Sequence, residues 1–442
     1  MSEEIKDVTT DTPAAAPKRA KRTPEQRKKS AIKAVIIVGS ILAAFVLFFT
    51  GLAVANVVST DALVTQAQQF QAVEYAPGEQ LVPTKDADGY WTFTTDRDLR
   101  VVQFTDIHIG GGSFSAQKDT WAMNAVATMI RQQKPDLVIV TGDIAFPVPY
   151  AAGTFNNLSG TKIFAELMES LGVYWTFSFG NHDTEAYSYY TREEICAFYE
   201  EQDYDYCLFN RGFHGEDRGY GNNFIKVKNS AGLITSALVT LDTHSYIEGD
   251  ILGIEWKYDN LHASQIEWYQ TELQKFIAAN QQINPSCTEI KNLAFFHIPL
   301  MEYRDAWQEY VEAGEKDTAN VQFVHGTMGE SDGEMNGVKT WGIYCGLHPC
   351  DFFEAGLNNA LQGIFCGHDH YNNFSVLYNG GEGDKYIRLT YGMSIDYLAY
   401  SGIFKEHAQR GCTLITVHTD GTFEAQAKNY YTDFENVTHE SE

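Results

Sequence analysis

Leu99-Arg-Val-Val-Gln-Phe-Thr-Asp-Ile-His108 is the stretch whose reading decides the fold. Through Thr105 it reads as a strand, and it then delivers an acid and a histidine two positions apart. In an extended segment side chains alternate, so Asp106 and His108 point to the same side. The pattern recurs downstream. A helix is expected over about 117–133, with Met123, Val126 and Ile130 at spacings of three and four, stopping before Pro135. Leu137-Val-Ile-Val-Thr141 is a second strand and runs into Gly142-Asp143. A second helix over about 161–171 leads to a third strand, Val173–Ser178, and then to Gly180-Asn181-His182-Asp183. This βαβαβ order implies parallel strands joined by right-handed crossovers. Ligands of such sheets bind beyond the carboxyl ends of the strands. Asp106, Asp143 and Asn181 all fall there.

The second half repeats the logic with more antiparallel character. Strands are expected at 237–241, 293–296, 362–366, 387–390 and 413–417. Ser264-Gln-Ile-Glu267 reads as a capping box that opens a helix to about Asn280. His297 follows the strand Leu-Ala-Phe-Phe, and Gly367-His368-Asp369-His370 follows the strand ending at Cys366. Residues 301–360 carry few periodic signals and are expected to form a long insert beside the site, with His348 able to approach it. Each motif alone is a common turn. Five in one order, each at a strand exit, describe two metal ions held side by side for hydrolysis of a phosphate ester. Their Asp, Asn and His donors suit Mn²⁺, Fe²⁺ or Zn²⁺. Two such ions about 3.5–4 Å apart polarise a phosphoryl oxygen and lower the pKa of a shared water. A carboxylate can bridge them, one oxygen to each ion.

The motifs D-x-H, GD, GNH-D, a lone His and GHxH resemble those of the calcineurin-like metallophosphoesterase superfamily, over about residues 98–430. The resemblance implies a four-layer sandwich of two mixed β-sheets flanked by helices. It also implies a ligand set. One metal would take Asp106, His108, Asp143 and His370, and the other Asp143, Asn181, His297 and His368, with Asp143 bridging. A water or hydroxide held by the metals would attack phosphorus. His182 would be the general acid, oriented by Asp183. The run Phe295-Phe-His-Ile-Pro-Leu300 looks more narrowly like a branch related to purple acid phosphatases. Those enzymes use GD-x-x-Y, where Tyr binds ferric iron. Here position 146 is Phe and position 108 is His, which favours the ordinary D-x-H site.

Composition bounds the rest. The 442 residues carry a net charge of −26, and residues 1–33 hold a balance of +4, which leaves −30 on the remainder. A body this acidic repels nucleic-acid backbones, so no nucleic-acid partner is expected. From Ala34 to Thr60 there is no charged residue. As a helix that run spans roughly 40 Å, enough to cross a bilayer core of about 30 Å. Basic residues stay on the cytoplasmic side. The expectation is a single-pass membrane protein with a cytoplasmic N-terminus and an extracytoplasmic catalytic domain, or a secreted one if cleavage follows Ala55. The expected divisions are a basic tail at 1–33, a transmembrane signal-anchor at 34–58, a spacer at 59–90, the phosphoesterase domain at 91–430 and an acidic tail at 431–442. Among seven cysteines, Cys196/Cys207 and Cys345/Cys350 are spaced for short-loop disulfides.

The functional expectation is a membrane-anchored, metal-dependent phosphoesterase. A catalytically silent surface-anchored binding protein of the same fold is the alternative. The motifs do not separate monoesterase, diesterase and pyrophosphatase.

Overall fold

The computed structural model describes residues 23–250, 253–381, 383–400, 403 and 409–438. Most of the expected basic tail, and the end of the acidic one, lie outside them.

Two sheets form the body. In the five-stranded sheet Leu99–Phe104 lies between Gly411–Val417, antiparallel, and Leu137–Thr141, parallel; Trp175–Ser178 extends the parallel edge and Phe423–Asn429 the other. The ten-stranded sheet has a parallel centre, Ile234–Thr240, Lys291–Phe295, Leu361–Cys366 and Ile387–Tyr391, with antiparallel strands on both flanks. The layering follows from the two-residue repeat of strands. Val101, Leu137 and Ile139 face the other sheet and pack with Leu238, Leu293, Phe295 and Phe365. Their neighbours Val102, Phe104, Val138 and Val140 face outward onto Met123, Val126 and Ile130 of helix Ala116–Gln133 and onto helix Asn157–Leu171. Across the sandwich Ala237, Val239, Ala294 and Ile364 face helix Ala263–Gln281 through Tyr269, Leu273 and Phe276. Four layers result, helix–sheet–sheet–helix. Every strand that carries a site motif opens its carboxyl end to the same edge of the sandwich.

Three expectations change. The helix at 263 is capped by His262, whose N–H donates to the Gln265 side chain at 2.8 Å, while Ser264 turns to the Asp217 carbonyl. The cap lies two residues before the expected one because the Gln265 amide oxygen, and not the Glu267 carboxylate, returns to the backbone N–H at the helix start, while the His262 ring turns away to Asp217 and Asp259. Residues 301–360 are more ordered than an insert: they hold helices Met301–Glu312 and Phe352–Asn358 and the edge strand Val321–His325. All seven cysteines are free thiols, so neither short-loop disulfide is present.

The apolar run is one helix, Pro24–Ala67, long and apolar enough to cross a membrane. By packing, the chain divides at Ala53/Val54. The compact unit therefore takes in the expected spacer, the first part of which is helix. Leu63, Val64 and Ala67 are buried in its core. The Asn56 amide donates to the Gly153 carbonyl at 2.7 Å and accepts from Ser113 N–H at 2.9 Å, and the Thr60 hydroxyl donates to Gly111 at 2.7 Å. A fragment starting at Val54 should fold as the full chain does. One starting at Gln68 should lose about 3–6 kcal/mol, the worth of burying one Leu and one Val. Denaturant midpoints compare the two, and equal midpoints would show that this segment is a tether only.

Candidate metal centre

Four short loops at strand exits interlock before any ligand is considered. Asp106 N–H donates to the Gly142 carbonyl at 3.1 Å and His108 N–H to the Asp143 carbonyl at 3.0 Å. Gly367 N–H donates to His297 at 3.1 Å. The glycines are required by contact. Gly142 has φ +85°, and a Cβ there would sit 2.6 Å from the His297 ring. A Cβ on Gly180 would overlap the Asp143 carboxylate.

The side chains converge on Asp143. Its Oδ2 lies 3.3 Å from His108 Nε2 on one side and 3.1 Å from His297 Nε2 on the other. His297 Nε2 is also 3.1 Å from the Asn181 Oδ1, while its Nδ1 meets the Thr141 carbonyl at 2.8 Å. That contact places the proton on Nδ1 and leaves Nε2 as a donor to a cation. His370 Nε2 lies 3.4 Å from Asp106 Oδ1. Asp106, His108, Asp143 and His370 bring donor atoms within 4.8 Å of one another, all buried. The His368 ring stands against His297, centroids 5.1 Å apart.

Two features of the chain fit this cluster to cations. Asp106, His108, Asp143 and His368 all have positive φ, between 50° and 79°. Non-glycine residues are rarely held there, and such strain concentrates where function requires it. The second is charge. Burial disfavours the His108 imidazolium, yet Asp396 and Asp143 raise it to about 10; His297 is raised to about 9 against burial, chiefly by Asp143. The buried carboxylates thus gather negative charge that calls for positive charge beside it. Divalent ions would supply that positive charge directly.

The acid candidates separate. The His182 ring pairs through Nδ1 with Glu185 Oε1 at 2.8 Å, and Tyr246 donates its hydroxyl to the same oxygen at 3.3 Å. Asp183 does not orient that ring. Its carboxylate accepts from the N–H groups of Gly180, Asp143 and Ala145 at 2.8–3.0 Å. It braces one motif loop against another. The residue three positions on reaches the imidazole, because in this turn the adjacent side chain faces inward to the backbone.

Sequence reading missed Asp396. One of its oxygens hydrogen-bonds His370 Nδ1 at 3.2 Å and the other lies 3.3 Å from His108 Nδ1, so one buried carboxylate faces both rings. The signal was available: Gly392-Met-Ser-Ile-Asp396 follows strand Ile387–Tyr391 as the other motifs follow theirs. Outer partners of this kind are worth about 10–100-fold in metal affinity or activity. Asp396→Asn should show a loss in that range by metal titration, and unchanged affinity would reduce Asp396 to a packing role. Also missed was Arg192, which forms an ion pair with buried Asp242 and donates to the Gly180 and His244 carbonyls at 3.0 and 2.9 Å, pinning the Gly180–Asp183 loop.

Phe146 stacks on His108 with centroids 4.6 Å apart and 24° between planes. The position that carries an iron-binding Tyr in purple acid phosphatases therefore does face the site here, with no oxygen to offer. Metal-loaded protein should be colourless, and a visible band lost on reduction would show that another Tyr serves. His348 is exposed, and its carbonyl accepts from Asn260 at 2.9 Å. A second donor group, His244, Asp259 and His262, is also close-packed. Its imidazoles stack face to face at 4.1 Å, so their in-plane lone pairs do not converge. Hydrogen bonding to Asp259 raises His262 to about 9, which makes the group an ion pair at a helix start.

Comparison with known proteins matches residues 99–372 to the calcineurin-like phosphoesterase family model. The chain is similar to "Probable inactive purple acid phosphatase 28" and "14" of Arabidopsis thaliana, at 23% and 24% identity over 70% of this chain and 73% and 74% of those proteins. It is also similar to "Phosphatase DCR2" of Saccharomyces cerevisiae, at 22% identity over 64% of this chain and 46% of that protein.

Proposed function

The chain belongs to the calcineurin-like phosphoesterase family, and from that premise we propose that it is an active, membrane-anchored hydrolase of phosphate esters. The observation that carries this reading is the complete donor set gathered around Asp143 with His182 at its rim. Asp106, His108, Asp143 and His370 would hold one ion, and Asp143, Asn181, His297 and His368 the other. Bound there, divalent ions polarise phosphoryl oxygens, lower the pKa of water and offset charge that develops on the leaving oxygen.

The protein's own groups do the rest. Asp143 oxygens reach both halves of the site and also accept from His182 N–H at 2.8 Å, so the acid is held in register with the ligands. Glu185 fixes the His182 tautomer and leaves the other ring nitrogen to carry a proton to the leaving oxygen. Phe146 covers His108 and stands edge-on to His182 at 4.8 Å, which keeps bulk water from that side.

The anchor reading rests on helix Pro24–Ala67, whose apolar side chains from Val35 to Phe49 are exposed on all faces, and on the basic residues before it. It places the N-terminus in the cytoplasm and the acidic body outside.

The names of the plant relatives favour a second reading, a silent protein of this fold. Such a protein needs a missing ligand or acid, and this chain keeps all of them. The test is hydrolysis of an aryl phosphate by the fragment from Val54 onward. Turnover should vanish on chelation and return with Mn²⁺, Fe²⁺ or Zn²⁺. Phosphate binding by the metal-loaded protein without turnover would establish the silent reading.

A further inference from the structure

The cavity above the metal centre has a wall of a particular kind. It encloses about 170 Å³, with Asp143, His182, His368 and His370 at its floor. Drug-sized ligands occupy about 300–1,000 Å³, so this space suits a small leaving group. Its remaining walls are Trp256, Tyr258, Tyr344 and Tyr400, with Glu330 and Asp369. Among the described residues no lysine or arginine lines it.

Each aromatic is fixed. Tyr258 meets the His368 ring edge-on at 4.3 Å, and Tyr400 lies 4.3 Å from the His370 ring. Trp256 stands perpendicular to Tyr344, centroids 6.2 Å apart. Trp256 has φ +53° and is 53% exposed. A bulky residue at positive φ costs energy, and this one holds its indole at the cavity rim and not in the core. Tyr400 is likewise 42% exposed at the rim. Glu330 is held beside them by its own loop: its N–H donates to Asn372, and its carboxylate accepts from Tyr371 N–H at 3.3 Å.

Four aromatic side chains lining a small cavity with a carboxylate at the rim make a poor site for a nucleotide, whose further phosphates need basic partners. They make a good one for a cation, because ring quadrupoles attract ammonium groups and quaternary ammonium most of all. We propose that this cavity is an aromatic cage for a cationic leaving group, so that the substrate is the phosphomonoester of an amino alcohol of the choline or ethanolamine kind. The proposal rests on the phosphoesterase reading above and adds the substrate class. In the reaction a water oxygen bonds to phosphorus and the P–O bond to the amino alcohol breaks. The alcohol oxygen takes its proton from His182, and inorganic phosphate and the free amino alcohol leave.

The test compares phosphocholine with 3,3-dimethylbutyl phosphate, which has the same shape without the charge. The full chain, loaded with metal, should prefer phosphocholine by roughly 10- to 100-fold in kcat/KM. Glu330→Gln and Trp256→Leu should each shrink that ratio. Both substrates are read on one sample, so misfolding does not imitate the effect. Glycerophosphocholine carries the same cation on a diester. Preference for it over a choline-free glycerol phosphodiester supports the cage and moves the source to a lipid headgroup. If an aryl phosphate and both alkyl esters turn over with equal kcat/KM, the cage is overturned and the phosphoesterase reading stands. If nothing turns over with two metals bound, both fall.

Discussion

Asp143→Asn is expected to lose bound metal and activity together, and to lose more than any variant that touches one half of the site. Asp143 Oδ2 lies within 3.3 Å of both His108 and His297, and Oδ1 accepts from His182 N–H. The carboxylate would also carry the charge that offsets repulsion between two cations. Burial would disfavour that charge, but His297 and His182 hold the group well below the usual carboxylate range. An amide keeps the shape and one oxygen and removes the charge. Activity should fall by more than the roughly 10–100-fold seen when only a supporting residue is changed. Metal content by mass spectrometry and folding by circular dichroism check it. A folded variant that keeps two ions per chain would remove the bridging role.

His182→Ala separates binding from chemistry. Only the His182 backbone touches Asp143, and its ring pairs with Glu185, so the variant should retain its metals. The lost proton transfer should cost about 10²–10⁴-fold on an alkyl phosphate. An aryl ester with an acidic phenol needs little protonation and should slow far less. Equal losses on both esters, with metals retained, would take the acid role from His182. Glu185→Gln should follow the same pattern more weakly, since it disturbs the ring's tautomer and leaves the ring in place.

Legibility tracked how local each cause is. Four of the five strands of the smaller sheet, and its helices, could be read because β-branched runs and three-four spacing are properties of neighbouring residues; the edge strand Phe423–Asn429, with its polar alternation, was not, while helix Ala116–Gln133 begins one residue from its expected start. The motif residues could be read because each ends such a strand. What could not be read arises from pairings distant in sequence. Asp396 serves His108 across 288 positions, and nothing near either residue announces the other. The exchange of Asp183 for Glu185 behind His182 turns on one loop's geometry, which the string His-Asp-Thr-Glu does not specify. The extent of the N-terminal helix was missed for another reason. Its apolar run ends near Thr60, but Leu63, Val64 and Ala67 continue it by packing against the body, so tertiary contact and not composition sets its end. The cavity wall was hidden likewise, since Trp256, Glu330, Tyr344 and Tyr400 come from separate loops.

Asp143 is expected to bridge a two-ion centre. Anomalous scattering from crystals of the Val54 fragment grown with Mn²⁺, with data on both sides of the manganese edge, tests it most directly. Two peaks are expected about 3.5–4 Å apart, one among Asp106, His108 and His370 and one among Asn181, His297 and His368, with Asp143 between them. A single peak, or two that do not share Asp143, would contradict it.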